Sequence, residues 1–250
     1  MTPHPGEAEP AAPDPAGLFH RFDFSSRGTL VVAVSGGSDS TALLLLVRDW
    51  RDRAAPGTHI LAATVDHGLR PESATEADAV AALCAGLGVE QLTLPWTGTK
   101  PATGLQAAAR GARLRLLAET AEKAGTDLVL TGHTLDDQAE TVAMRAGRGP
   151  GIGLAGMAPA TLVDGRVWIV RPLLGTRREA LRAFLRGRDT EWIDDPSNEN
   201  PAFERVRLRS RAAAAGTAVD AEAIAAAGRE RRDLAARAAV LLDAHGSAPS

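Results

Sequence analysis

A chain of 250 residues with 44% apolar side chains holds enough material for one sizeable core and a small appendage. Aromatics make up only 4%, with no Tyr, and the formal net charge is −3. The core must therefore be built mostly of Leu, Val and Ala, and no global charge marks a polyanion partner. A single cysteine, Cys84 in an apolar helical stretch, excludes a disulfide framework within the chain and a cysteine-built zinc or iron–sulfur site.

Met1 to Gly17 is rich in Pro, Ala and Glu and lacks a basic start followed by an apolar run, so it reads as a disordered tail and not as a signal peptide. No stretch approaches the roughly 18 uninterrupted apolar residues of a membrane helix, and the expected location is cytoplasmic, with no membrane partner. Leu30 to Val34 is a short apolar run ending abruptly in Ser-Gly-Gly, as a buried parallel strand would. Asp39 to Trp50 follows as a helix with Leu43, Leu44 and Val47 facing inward. His59 to Val65 is a second strand, Ser73 to Leu87 a helix, Val89 to Leu94 a third strand, and Leu105 to Ala124 a long helix. Asp127 to Thr131 is a fourth strand, leading into a helix from Leu135 to Arg145.

Strands alternating with helices of this length predict an α/β fold, a doubly wound and mostly parallel sheet covered on both faces. In such sheets ligands bind outside the carboxyl ends of the strands. Three polar segments fall there: Ser35 to Ser40, Asp66 to Arg70, and Gly132 to Asp137. After Arg148 the character changes to a Gly-rich loop (Gly149 to Gly156), a brief strand (Val167 to Val170), a basic helix (Arg177 to Arg188) and an Asp-Pro turn (Asp194 to Asn200). Ala218 to Ala244 is helical by propensity. The expected organisation is a tail over residues 1–17, a catalytic domain over 18–212, and a helical extension over 213–250.

Ser35-Gly36-Gly37-Ser38-Asp39-Ser40 offers several anion-binding groups at once. The glycines permit a tight turn, the helix N-terminus directs N–H groups outward, and three hydroxyls stand nearby. An ordinary Gly-rich turn with Ser and Asp capping the helix is the plain alternative. It is not a Walker A loop, because the Gly-Lys-Ser/Thr ending is absent and the chain has only two lysines, Lys100 and Lys123. Gly151 to Gly156 satisfies G-x-G-x-x-G, but no strand precedes it, so the dinucleotide fingerprint fails on context.

Asp66-His67-Gly68-Leu69-Arg70 reads equally as turn chemistry or as a site segment. Around His133, the carboxylates Asp136, Asp137 and Glu140 share helical faces, where they serve the helix dipole or hold a cation. Arg110 and Arg113 are three apart, suited to phosphate or to solvent. Between Arg166 and Arg211 there are eleven Arg against seven acids, which suits a phosphate-rich ligand or a solvated basic face.

The Ser35–Ser40 segment resembles the PP-loop of ATP pyrophosphatases. Together with Asp66–Arg70, Arg110-x-x-Arg113, Gly132-His133, Asp136-Asp137-Gln138-x-Glu140-Thr141, Arg171-Pro172-Leu173-Leu174, Asp195–Asn198 and Arg205 to Arg209, it resembles the tRNA(Ile)-lysidine synthetase family over residues 29–209. That resemblance implies that Ser35, Gly36, Gly37, Ser38, Asp39 and Ser40 bind ATP, with Mg²⁺ held by Asp39 and the phosphates. It implies a ligase that adenylates the wobble cytidine of a CAU-anticodon isoleucine tRNA and joins L-lysine to it, releasing AMP and pyrophosphate. His133 and Arg113 are then candidates for the α-phosphate or the attacking oxygen, and Asp137 and Glu140 for the ammonium groups of lysine. Arg171, Arg205, Arg207 and Arg209 are candidates for tRNA, and a homodimer is compatible with the family. Thr134, Leu114 and Val206 stand where the family commonly has His, an aromatic and Asn. Many members also carry further tRNA-gripping domains after this point. A tRNA thiolase would want paired cysteines, which one Cys cannot supply.

Overall fold

The computed structural model describes residues 12–20, 22, 24, 27–70, 72–146 and 156–194. The chain divides into two units, Met1–His133 with Pro159–Asp195, and Thr134–Ala158 with Pro196–Ser250. In the first unit the elements are α1 (Pro15–Phe19), β1 (Thr29–Ala33), α2 (Ser38–Ala54), β2 (His59–Asp66), α3 (Ser73–Gly86), β3 (Glu90–Pro95), α4 (Leu105–Lys123) and β4 (Leu128–Thr131). It resumes after the second unit's α5 (Leu135–Ala146) with β5 (Ala160–Val163), β6 (Val167–Val170) and α6 (Arg178–Arg186).

The six strands form one sheet in the order β3-β2-β1-β4-β6-β5. All pairs are parallel except β5 with β6. Because side chains alternate across a strand, β1 feeds both faces. Leu30, Val32 and Val34 join one apolar cluster with Leu43, Leu44 and Val47 of α2, Val80 and Cys84 of α3, and Leu181 and Leu185 of α6. Val31 and Ala33 join the opposite cluster with Leu117, Ala118 and Ala121 of α4. The run Leu30 to Val34 is apolar throughout because neither face meets water. Cys84 is one of these core residues, its thiol pushed up to about 11 by burial, so it supplies no ready nucleophile.

Chain order along β1, β2 and β3 runs one way across the sheet, and β4 then returns to the other side of β1. The carboxyl ends of β1 and β4 therefore flank the switch point at which such sheets bind ligands.

Three differences from the sequence reading have local causes. Helix α1 takes in Pro15, Ala16 and Gly17, which composition assigned to the tail; Asp14 caps it, accepting from the N–H groups of Ala16 and Gly17 at 3.2 and 2.9 Å. Helix α2 runs to Ala54, past Trp50, with Arg51 and Arg53 at its negative end. Strand β5 escaped the sequence reading, although Asp164-Gly165 is a hairpin signal. Both residues lie at positive φ (50° and 68°), and Arg166 N–H donates to Val163 O at 3.0 Å. Residues 149–155 of the Gly-rich loop, Asp195 to Asn198, Arg205, Arg207, Arg209, most of the tail and the 213–250 extension lie outside the described residues.

Candidate functional site

The Ser35–Ser40 loop joins β1 to α2 as the sequence predicts. Gly36 takes φ +85°, and a Cβ there would lie 2.5 Å from Ile193 Cδ1, whose own backbone N–H donates to Gly36 O at 2.9 Å. Only glycine fits both the dihedral and the contact. The Ser40 hydroxyl is turned inward: it donates to Gly37 O at 3.1 Å and accepts from Ser35 N–H at 3.1 Å. Thr41 Oγ1 donates to Gly36 O at 3.2 Å. These side chains hold the loop in shape, leaving the N–H groups of Gly36 to Ser38 at the α2 N-terminus as the anion-facing elements.

Asp39, the second residue of α2, is paired across the unit. Arg178 Nε donates to Asp39 Oδ2 at 2.8 Å, and Ser38 Oγ donates to Oδ1 at 3.0 Å. This pair joins the start of α6 to the start of α2, and Arg188, two residues past the end of α6, pairs with Asp49 of α2 at 2.6 Å. The sequence reading saw Arg178 only as part of a basic helix; its partner is 139 residues away in the chain. Among the described residues no group of three or more His, Cys, Asp or Glu could hold a metal ion. One partly exposed carboxylate beside a phosphate loop still fits Mg²⁺, which is commonly held by one or two carboxylates and substrate phosphates.

A cavity of about 200 Å³ is lined by His67, Arg110, Arg113, Leu114, Thr131, His133 and Arg171, among others. The ends of β2, β4 and β6 and helix α4 thus bring together three guanidinium groups and two imidazoles, and no carboxylate is among that lining. Such a lining suits an anion. Burial and the neighbouring Arg110 charge push the Arg171 guanidinium below its ordinary range. Arg171 is 5% exposed and lines this cavity, so of the two readings of the Arg-rich segment the solvated basic face does not apply to it. Its Nη1 donates to Thr161 Oγ1 at 2.9 Å, a contact supplied by the strand that sequence reasoning missed. Leu114, where the family commonly has an aromatic, also borders the cavity.

His67 lines the cavity from the end of β2, its ring set edge-on to Trp96 at 5.9 Å between centroids. Burial first, then the Arg113 charge, hold its imidazole below the usual histidine value; Asp66 pulls the other way and Lys100 adds to the lowering. The rest of that segment follows the plain alternative. Asp66 Oδ1 accepts from Gly68 N–H at 2.8 Å, and Arg70 pairs with Glu76 at 3.0 Å. His133 stands at the end of β4, its Nδ1 3.0 Å from Thr131 Oγ1.

In the second unit, Thr134 and Asp137 form a reciprocal cap at the start of α5. Asp137 Oδ2 accepts from Thr134 N–H at 2.8 Å and from Thr134 Oγ1 at 2.9 Å. Asp137 N–H faces Thr134 Oγ1 at 3.4 Å. Thr is a strong N-cap, which gives the departure from the family's His a local reason. Asp137 and Glu140 are each 9% exposed. Gln138 clasps the Met157 backbone, accepting from its N–H and donating to its C=O at 2.9 Å.

A family model described as the PP-loop domain matches residues 16–215. Among curated proteins, the tRNA(Ile)-lysidine synthase of Mesorhizobium japonicum is 54% identical over 242 residues, covering 93% of this chain and 53% of that protein. That of Hyphomonas neptunium is 57% identical over 185 residues, covering 71% and 49% respectively. The chain spans about half the length of the curated relatives it matches. Among solved structures, a U34-tRNA thiolase from Methanococcus maripaludis superposes with a TM-score of 0.70 at 18% identity, covering 86% of this chain and 76% of that one, a likeness of fold alone. The loop between β1 and α2, the sheet order and the extent of the match agree: the chain belongs to the PP-loop domain family.

Proposed function

We propose that this chain carries the catalytic part of a tRNA(Ile)-lysidine synthase: it adenylates the wobble cytidine of a CAU-anticodon isoleucine tRNA with ATP, and L-lysine then displaces AMP. The observation that carries the reading is the cationic cavity of His67, Arg110, Arg113, His133 and Arg171 in the same unit as the PP-loop, with His133 leaving the sheet at β4, the strand beside β1. The relatives named above support the tRNA and lysine assignment.

In this reading the loop N–H groups of Gly36 to Ser38 and the α2 N-terminus hold the departing pyrophosphate. Asp39 would hold Mg²⁺, which when bound neutralises the phosphates. Arg113, with Arg110 and Arg171, meets the charge that develops on the α-phosphate as the cytidine C2 oxygen attacks. Because Arg171 lines the cavity, its contact with tRNA is assigned to the reacting nucleotide. Arg205, Arg207 and Arg209 remain the candidates for tRNA phosphates, which makes binding salt-dependent.

Asp137 and Glu140 are the candidates for lysine's ammonium groups, since a cationic substrate is selected by carboxylates. Asp137→Asn and Glu140→Gln are expected to raise the KM for lysine by about tenfold or more, the scale of one lost charge-assisted hydrogen bond. Steady-state lysine incorporation by folded proteins checks this, and near-normal lysine affinity in both overturns the assignment. Asp137→Ala has a second expected effect. It removes the α5 cap and lowers stability by about 1 kcal/mol, read by denaturant unfolding.

The function itself is tested by incubating the protein with ATP, labelled lysine and total tRNA. Label in tRNA, together with pyrophosphate release dependent on tRNA and ATP, is the expected result. Absence of pyrophosphate under every combination would reduce the chain to a nucleotide-binding module.

A further inference from the structure

His133 is held by a short relay that fixes more than its position. Thr131 Oγ1 lies 3.3 Å from Val170 O, on the neighbouring strand β6, and is the donor of that bond because a carbonyl only accepts. A hydroxyl has one proton; spent on Val170 O, it leaves the threonine oxygen to accept from His133 Nδ1–H across their 3.0 Å contact. A neutral imidazole carries one N–H and one lone pair, and the bond made by one nitrogen decides the role of the other. With Nδ1 the donor, Nε2 is the acceptor. Thr131 is 2% exposed and sits at the last position of β4.

We infer that Thr131 is a positioning residue that fixes the tautomer of His133, and that His133 Nε2 is the proton acceptor when the lysine amine displaces AMP. The inference rests on the lysidine synthase reading. The first step, attack by the cytidine C2 oxygen on the α-phosphorus, releases no proton. The second step needs a base, because an amine arrives at neutral pH as ammonium. One proton passes from that ammonium to His133 Nε2, and the electron pair it leaves on nitrogen forms the C–N bond at C2. The C2–O bond breaks, its pair leaves with AMP, which carries that oxygen away, and the second proton of the attacking nitrogen leaves with the phosphate. The imidazolium so formed donates from both nitrogens and gains the neighbouring phosphate as a partner. The charged groups that share the cavity with His133 are Arg110, Arg113 and Arg171, with His67 beside them.

The test uses the full chain and the variants Thr131→Val and Thr131→Ser. Val is nearly isosteric, so it preserves packing while removing the relay; Ser retains the hydroxyl. Nitrogen shifts of ¹⁵N-labelled histidine report the tautomer without any substrate. The expected spectrum has His133 protonated on Nδ1 in the parent protein and in Thr131→Ser, and shifted towards Nε2–H in Thr131→Val. In turnover, Thr131→Val is expected to slow lysine transfer by at least about tenfold, part of the 10²–10⁴ that general bases supply. The ratio of lysine transfer to tRNA-dependent pyrophosphate release should fall with it, and Thr131→Ser should restore that ratio. An Nε2–H tautomer in the parent protein overturns the positioning role. Unchanged lysine transfer in folded Thr131→Val overturns the proton-acceptor role. If the parent protein releases no pyrophosphate with tRNA, the lysidine synthase reading fails and the proton-acceptor role with it, while the nitrogen shifts still decide the tautomer.

Discussion

Gly132→Ala is expected to destabilise the protein by about 1–3 kcal/mol and to cut ATP turnover by about 10², whereas Gly111→Ala should stabilise it. A Cβ at Gly132 would lie 2.9 Å from both the carbonyl carbon and oxygen of Asp39 and 3.0 Å from Ser40 Cα. All three are backbone atoms of the first turn of α2, so no side chain can swing aside. Relief requires the end of β4 to move away from the PP-loop, shifting His133 and Asp39 against each other. Displacements of about 1 Å between catalytic groups cost about 10² in rate. At Gly111, inside α4, an added methyl meets nothing within 4 Å, and exchanging glycine for alanine within a helix is worth about 0.5–1 kcal/mol. Thermal unfolding and pyrophosphate release measured on both variants check the opposed signs. Equal stability of the two would show that the close approach of β4 to α2 does not constrain the fold.

Arg113→Gln is expected to lower tRNA-dependent pyrophosphate release by about 10²–10³, the usual cost of removing one preorganised donor from a developing anionic charge. The same variant gives a second readout with a definite sign. Arg113 is the second cause, after burial, holding the His67 imidazole below its ordinary value. Loss of the guanidinium charge must therefore raise the His67 pKa towards that value, and a proton NMR titration of the ring follows it. A fall in rate with no movement of His67 would separate Arg113 from the cavity. A rise in the His67 value with full activity would leave Arg113 in the cavity and remove it from the chemistry.

The parallel α/β class, five of the six strands, and the positions of Ser35–Ser40, His67 and His133 at strand ends were legible in the sequence, because each depends on local pattern. An apolar run such as Leu30 to Val34 can be satisfied only with both faces covered, and a Ser-Gly-Gly break after it leaves few conformations. Strand β5 was not read, because four residues at a sheet edge, two of them exposed, carry little periodicity. What only the tertiary structure decided is pairing between distant segments. The bond from Arg178 to Asp39, the approach of Gly132 to the α2 backbone, the burial of Arg171 beside Arg110, and the relay from Val170 through Thr131 to His133 each join parts of the chain that no spacing relates. The physical reason is that composition and periodicity fix which face of an element is buried, whereas the role of a polar group depends on which partner the folded sheet brings within about 3 Å of it. Asp39 was read from its place in the PP-loop as a cation ligand, and only the fold shows the guanidinium that shares it.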